Sequence, residues 1–269
     1  MAGEAIIGVP FKLPSGLRSL IEDPADVPES AGDEVSRRLF KIRSADAVGR
    51  RSSAQILITR FYDDGARPGK PRHRPPLPAR ITLLASERNI AIGAITIGFD
   101  AGTGLRVDEP FAAETRVLRE AGLRACEFTR MAMDSASRHR HVLASLFHVA
   151  HIYAHRMMGF DALLIAVNPR HAAYFEAMLG FQLLGRERLN RRINTPVVLM
   201  FLDLAFAQAQ IERFGGMPEL ATLRRSLYPH FFSMAEEASI VGRLKRTQPD
   251  ALYSHARGWP PGTLDAPPI

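Results

Sequence analysis

The spacing of apolar residues predicts alternating strands and helices from about residue 37 onward. The clearest segment is 162–167, where consecutive apolar residues are typical of a strand buried on both faces. Strands followed by helices around such a central strand indicate an α/β fold, with a mixed central sheet flanked by helices. The predicted strands cover residues 38–42, 81–86, 90–99, 126–133, 162–167, 181–184 and 197–204, and the predicted helices cover 45–62, 111–121, 139–158, 169–179, 205–214 and 218–243.

Composition divides the 269 residues into four segments. Residues 1–34 carry scattered Pro, Gly and acidic residues without a sustained period, which predicts a flexible N-terminal arm. Residues 35–205 form the predicted α/β domain, and residues 206–243 a helical C-terminal extension. The proline-rich residues 244–269 predict a loose tail.

The amino-acid composition excludes several classes of protein. Hydrophobic residues make up 46% of the chain, which excludes a fully disordered protein. The single cysteine, Cys126, excludes a disulfide within the chain and a four-cysteine zinc site, and it fits a cytoplasmic, reducing compartment. The sequence contains no apolar run of about 18 residues, so neither a membrane span nor a signal peptide is predicted. The net charge of +7, carried mostly by arginine, predicts attraction to an acidic partner.

Three segments carry a resemblance to a known family. They are Gly93-Ala-Ile-Thr-Ile-Gly-Phe-Asp100, Cys126-Glu-Phe-Thr-Arg130, and Asn168-Pro-Arg-His171 with its continuation to Met178-Leu-Gly-Phe181. In this order they resemble the long-chain N-acyl amino acid synthases of the GNAT superfamily of N-acyltransferases, which are related to the acyl-homoserine-lactone synthases. The resemblance covers about residues 36–205 and implies a GNAT-like fold for them.

The resemblance implies an enzyme that moves a medium or long fatty acyl chain to the amine of an amino acid or a similar small acceptor. The implied donor is acyl carrier protein, loaded through its 4'-phosphopantetheine arm, with acyl-CoA as the alternative, and no tightly bound cofactor is implied. An acyl-homoserine-lactone-like signal synthase and a catalytically silent protein that binds acyl carrier protein stay open as alternatives. No nucleic-acid-binding signature is present in the sequence. A peripheral membrane contact and the oligomeric state stay open.

Three residues are the catalytic candidates that the resemblance implies: Glu127, Arg130 and Tyr174. Glu127 is expected to act as the base or to orient the acceptor, with Arg130 in support. Successive residues of a strand point to opposite faces, so these two side chains share a face only if the strand contains a bulge, which the superfamily is expected to carry here. Tyr174 is the candidate for protonating the departing thiolate, a packed aromatic is the alternative role for it, and the adjacent Phe175 also fits that position.

The donor-binding candidates surround two predicted helix N-termini. The stretch 135–144 lacks the glycine-containing turn of acetyl-CoA enzymes, but a helix N-terminus with added basic residues suits the single phosphate of a pantetheine arm. Asn168 is also expected to cap its helix. We expect the acyl chain to lie between strands 126–133 and 162–167. The donor-binding candidates are Met131, Met133, Arg138, Arg140, His141, Asn168, Arg170 and His171.

Three histidines lie along one face of the predicted helix 139–158. His148, His151 and His155 have spacings of three and four residues, which can build a zinc site. The helix carries no Cys, Asp or Glu to complete such a site. Hydrogen-bonded core or surface histidines are therefore favoured, and no metal is assigned.

Overall fold

The computed structural model describes residues 7–11, 38–44, 80–87, 90–100, 104–133, 140–192, 194–221 and 223–247. The predicted helix 45–62, most of the predicted arm and tail, and the donor candidate Arg138 lie outside these residues.

The described strands form one mixed eight-stranded sheet in the order β1-β2-β3-β4-β5-β6-β8-β7. Among the described strands, only the pair β5 and β6 is parallel; the other neighbouring pairs are antiparallel. The strands are β1 (Ile7–Phe11), β2 (Arg38–Ser44), β3 (Arg80–Glu87), β4 (Ile90–Phe99), β5 (Ala125–Met133), β6 (Ala162–Val167), β7 (Gln182–Asn190) and β8 (Thr195–Asp203).

Helices cover both faces of this sheet. They are α1 (Asp108–Glu120), α2 (Arg140–His151) with a π-helical continuation (Ile152–Met157), α3 (Pro169–Leu179), α4 (Leu204–Phe214) and α5 (Met234–Thr247), with 3-10 turns at Pro218–Ala221 and Tyr228–His230. The predicted fold class, a mixed sheet flanked by helices, is confirmed.

Strand alternation separates two cores. On the face that α2 covers, hereafter the α2 face, side chains such as Ile97 and Phe128 join one large apolar cluster. On the opposite face, hereafter the α1 face, Phe111 of α1 packs with Leu164 and Leu199 in a smaller cluster. Because this second cluster is smaller, part of the α1 face beside α1 is left to polar side chains. The candidate carboxylate Glu127 lies there.

The structure corrects parts of the predicted organisation. Residues 7–11, placed in the flexible arm, form β1 and pair with β2. The helix predicted over 218–243 is instead two 3-10 turns followed by α5, which continues to Thr247 into the predicted tail. Pro218 and Pro229 begin or interrupt these turns, because proline cannot donate the backbone hydrogen bond that a longer helix needs.

A buried hydrogen-bond network joins α2 to the C-terminal extension. His148 Nδ1 accepts a hydrogen bond from the Phe232 amide at 2.9 Å, so the ring proton is on Nε2, which lies 3.1 Å from Glu237 Oε2. Arg156 pairs with the other oxygen of Glu237. His151 Nε2 lies 2.9 Å from Gln208 Oε1 in α4. These histidines are hydrogen-bonded core residues, the interpretation that the sequence favoured.

We predict that the buried histidines make the fold acid-sensitive. Burial lowers the pKa of His151 to about 3 and also lowers that of His148. The folded ring stays neutral while the unfolded ring takes up a proton below its ordinary pKa, so stability is lost as pH falls below about 6.5. His151 alone should remove about 2 kcal/mol of unfolding free energy between pH 8 and pH 5.

Urea unfolding of the wild type and of His151→Gln at pH 8 and pH 5 tests this prediction. Glutamine can still bond Gln208 but does not titrate, so the variant should lose less stability on acidification. An equal loss in both proteins would contradict it.

Candidate active site

A bulge in β5 brings the two catalytic candidates of this strand to one face. Ala132 pairs with Ala94 and Thr129 with Thr96, so Arg130 and Met131 together oppose the single residue Ile95. Arg130 has a φ of 50°, in the left-handed region that non-glycine residues rarely adopt. The expected bulge is confirmed, and it turns Arg130 toward the α1 face, where Glu127 lies.

Glu127 is completely buried at the centre of this face. Its Oε2 accepts a hydrogen bond of 3.0 Å from the Val107 amide, in the turn before α1. Its Oε1 lies 3.7 Å from Arg80 Nη2, and no hydrogen bond from the described residues reaches Oε1. Gly98 lies between them in the sheet, and a Cβ there would come within 2.9 Å of Oε1. The carboxylate therefore fits because position 98 has no side chain.

Burial decides the proton affinity of Glu127. It raises the pKa of the carboxyl group, against the opposing effects of backbone hydrogen bonds from Arg106 and Val107 and of the charges of Arg80 and Arg106. A carboxylate with a raised pKa takes up a proton more readily than an exposed glutamate. This property suits a general base that works near neutral pH.

Arginines surround this carboxylate. The charges of Arg80, Arg130 and Arg192 act on Arg106, whose pKa is lowered to about 9, first by burial and then by these like charges. The sequence analysis missed Arg80 and Arg106, because neither belongs to a motif and only the sheet and the turn before α1 bring them to Glu127. The site therefore carries more positive charge than the pair of Glu127 and Arg130 that the sequence predicted.

Beyond Glu127 the two parallel strands separate. β5 and β6 pair only from Ala125 with Ala162 to Glu127 with Leu164. The opening between the strands lies where the acyl chain was expected. Met131 and Met133 are partly buried against the large core, and Met133 packs so closely on Gly93 that a Cβ there would meet its sulfur at 2.8 Å. Both methionines are thus core residues at the edge of the opening, and their predicted contact with the acyl chain stays a prediction.

A second group of candidates meets on the α2 face. Arg140 and His141 form the first turn of α2, and Tyr174 is half-buried on α3. Burial raises the pKa of Tyr174, and the charge of Arg140 opposes that shift. His230 of the C-terminal extension, which the sequence analysis did not identify, contacts His141 edge to face with 4.2 Å between ring centroids. The extension therefore reaches the predicted donor end of α2.

The N-terminus of α3 has the predicted cap. Asn168 Oδ1 accepts a hydrogen bond of 3.2 Å from the Arg170 amide, Pro169 occupies the first turn, and Gly180 ends the helix with a left-handed φ of 78°. Arg170 Nε donates to His171 Nε2 at 3.1 Å, and both side chains are exposed. Burial and the neighbouring Arg170 lower the pKa of His171. Asn168 thus has a structural role, and two basic side chains remain accessible beside it.

A bulged strand beside a diverging parallel pair, within a mixed sheet flanked by helices, is the arrangement of the GNAT fold. The model of the family "N-acyl amino acid synthase FeeM" matches residues 55–203, and the chain belongs to this family. A comparison with curated proteins found no match.

The chain is also similar to solved structures of N-acyltransferases. The N-acyl amino acid synthase FeeM from uncultured soil microbes has a TM-score of 0.55 and 24% identity, over 63% of this chain and 93% of that one. An acyl-CoA N-acyltransferase from Pseudomonas aeruginosa has a TM-score of 0.40 and 15% identity, over 60% and 97% of the two chains. An N-acetyltransferase from Staphylococcus aureus has a TM-score of 0.41 and 14% identity, over 62% and 98%.

Neither a membrane-spanning helix nor a cluster of metal ligands occurs among the described residues. No helix there combines the length and apolarity needed to cross a membrane. Nor do His, Cys, Asp and Glu side chains form a group of three or more suited to a metal ion within that part of the chain.

We predict that Asn168→Ala lowers stability by about 1 kcal/mol, because it removes the side chain that accepts the Arg170 amide. Asn168→Asp, which keeps an acceptor oxygen, should stay close to the wild type. Urea midpoints of the three proteins measure the effect. Unchanged stability of Asn168→Ala, together with a raised KM for the acyl donor, would instead assign Asn168 to donor binding.

Proposed function

We propose that this protein transfers a medium or long fatty acyl chain from acyl carrier protein to the amine of an amino acid. The observation that carries the proposal is the position of Glu127. This buried carboxylate lies at the last paired residue before β5 and β6 separate, with Oε2 fixed by a backbone amide and Oε1 free of hydrogen bonds from the described residues.

The strand opening supports a thioester donor on an extended arm. A pantetheine arm carries amide groups, and strand edges that have separated offer backbone groups to pair with such amides. The N-terminus of α2, with Arg140, and that of α3, with Arg170, supply positive potential for a phosphate. A net charge of +7 favours an acidic carrier protein as the donor.

The chemistry requires three events. The acceptor ammonium loses a proton, which we assign to Glu127 Oε1 through an intervening water molecule. The amine nitrogen then forms a bond to the thioester carbonyl carbon, the carbon–sulfur bond breaks, and the nitrogen releases its second proton to solvent to give the neutral amide. Tyr174, whose raised pKa keeps its hydroxyl protonated at neutral pH, gives a proton to the departing thiolate. The products are an N-acyl amino acid and the free carrier-protein thiol.

Mass spectrometry of small-molecule products tests this proposal. The protein is incubated with C8 to C16 acyl carrier proteins and a pool of amino acids, and with the same acyl groups on CoA in parallel. A new N-acyl amino acid from the carrier-protein reaction supports the proposal. Product from acyl-CoA alone would overturn the donor assignment, and no product from either donor would overturn the proposed reaction.

We predict that Glu127→Gln lowers kcat at least about 100-fold, because the amide keeps the shape and an acceptor for the Val107 amide but cannot take up a proton. Glu120→Gln, at an exposed carboxylate of α1 paired with Arg116, is the matched control and should keep wild-type activity. Steady-state kinetics and circular dichroism of both variants provide the measurement. A Glu127→Gln protein that turns over at the wild-type rate would exclude the general-base role.

A further inference from the structure

The helix that follows the Val107 amide is kinked close to its start. Within α1, Phe111 has φ and ψ values of −130° and 39°, outside the helical region, so its first turn is separated from the rest of the helix. Pro110, just before the kink, has no N–H to donate to the preceding turn. The regular backbone hydrogen bonds of α1 therefore do not by themselves fix the orientation of the first turn.

Arg188 of β7 bridges this kink from outside the helix. Its Nη1 donates to the Pro110 carbonyl at 2.6 Å on one side of the kink and to Glu114 Oε2 at 2.9 Å on the other. Its Nη2 donates to Glu114 Oε1 at 2.6 Å, and the guanidinium lies 5.2 Å from the centroid of the Phe111 ring. Two donors on one carboxylate define an orientation as well as a contact, so Arg188 fixes the two halves of α1 relative to each other.

The strand that carries Arg188 is shaped for this close approach. A Cβ at Gly185 of β7 would come within 2.8 Å of the Phe111 ring, so the missing side chain lets the ring lie against the strand. Just beyond the end of β7, Arg192 donates to Glu109 in the first turn of α1 at 2.8 Å. The start of α1 is therefore held against β7 by two arginines and a buried aromatic ring.

Two backbone hydrogen bonds connect the kink to the buried carboxylate. The Phe111 amide donates to the Val107 carbonyl at 3.0 Å, and the Val107 amide donates to Glu127 Oε2, also at 3.0 Å. A shift of Phe111 would move Val107 with it, because one peptide segment carries both bonds. The orientation of Glu127 thus depends on a side chain from a different strand.

We propose that Arg188 is a positioning residue for the candidate base: by holding the kinked start of α1, it keeps the Val107 amide on Glu127 Oε2 and leaves Oε1 for the acceptor. Arg188 acts through α1 rather than on the substrate. The role of Glu127 as the base rests on the proposed function, whereas the effect of Arg188 on the Glu127 carboxyl group can be measured without turnover.

Loosening the Val107 amide should raise the pKa of Glu127 further. A hydrogen bond to the ionised form of a carboxyl group lowers its pKa, and the Val107 amide is one of the groups that oppose the effect of burial. A variant without the Arg188 guanidinium should therefore hold the proton of Glu127 up to a higher pH than the wild type does.

The other groups that act on this carboxyl group stay in place in such a variant. They are the Arg106 amide and the charges of Arg80 and Arg106. Arg119 also still holds Asp108, the first residue of α1. The Val107 contact should therefore be weakened rather than abolished, which corresponds to a shift of about half to one pH unit in the pKa of Glu127.

The test measures the pKa of Glu127 directly, by carboxyl carbon NMR of the wild type and of Arg188→Gln, with Glu127→Gln identifying the resonance. The midpoint should move upward in Arg188→Gln and in Glu114→Gln, which removes the partner beyond the kink. The double variant should shift no further than Arg188→Gln alone, because both changes break one contact. Arg188→Lys, which keeps the charge but lacks the paired donors, should shift less.

The kinetic counterpart compares kcat of the wild type and of Arg188→Gln across pH, with the same donor and acceptor. Because only the ionised carboxylate accepts a proton, Arg188→Gln should be about 3- to 10-fold slower on the acidic limb and should approach the wild-type rate well above it. An arginine that only stabilises the fold would lower Tm and leave the midpoint of the pH profile unchanged.

Arg116→Gln, at an exposed arginine of α1 paired with Glu120, is the matched control and should keep the wild-type pKa of Glu127 and the wild-type activity. An unchanged Glu127 pKa in both Arg188→Gln and Glu114→Gln, with circular dichroism showing that both are folded, would overturn the inference whether or not acyl transfer is found. A raised pKa in these variants of a protein that acylates no amine would support the inference while the proposed function fails.

Discussion

The burial of one carboxylate, Glu127, determines how the rest of the site is arranged. An uncompensated buried charge is very unfavourable, so the surrounding chain must supply amides and cations. The turn before α1 provides the Val107 amide, β3 provides Arg80, and β4 provides the space of Gly98. Three separate segments of the chain are thus held in register by one side chain, and the raised pKa that results is also what the proposed chemistry requires.

The bulge in β5 turns the positive charge of Arg130 toward the face of the sheet where the Glu127 carboxylate lies. An arginine at a φ of 50° costs about 1 kcal/mol relative to glycine, and the protein accepts that cost where the two parallel strands separate. The same bulge reverses which face the following residues occupy, so Ala132 lies on the α1 face while Met133 packs toward α2. The candidate base Glu127 and the donor-binding candidates of α2 therefore lie on opposite faces of one sheet.

Local patterns in the sequence predicted those parts of the fold that local physics determines. The apolar run 162–167 is β6, and the Asn168 cap and Gly180 bound α3 as expected. Glu127 and Arg130 were assigned to one face only through the family resemblance, because strand alternation alone places them apart. Arg106 and His230 were missed because their neighbours in space are distant in sequence. The spacing of apolar residues along the chain does not predict such contacts. β1 was missed for a similar reason, since its hydrogen bonds come from β2.

The histidine network on α2 bears on what counts as an independent folding unit. The family match ends at residue 203, yet the partners of His148 and His151 are Phe232, Glu237 and Gln208, all beyond that point. A chain cut at the homology boundary would leave buried ring nitrogens without partners, at about 1–3 kcal/mol each. The segment that matches the family is therefore shorter than the segment that folds as one unit. The catalytic sheet could be transplanted into another chain only together with the extension that completes its core.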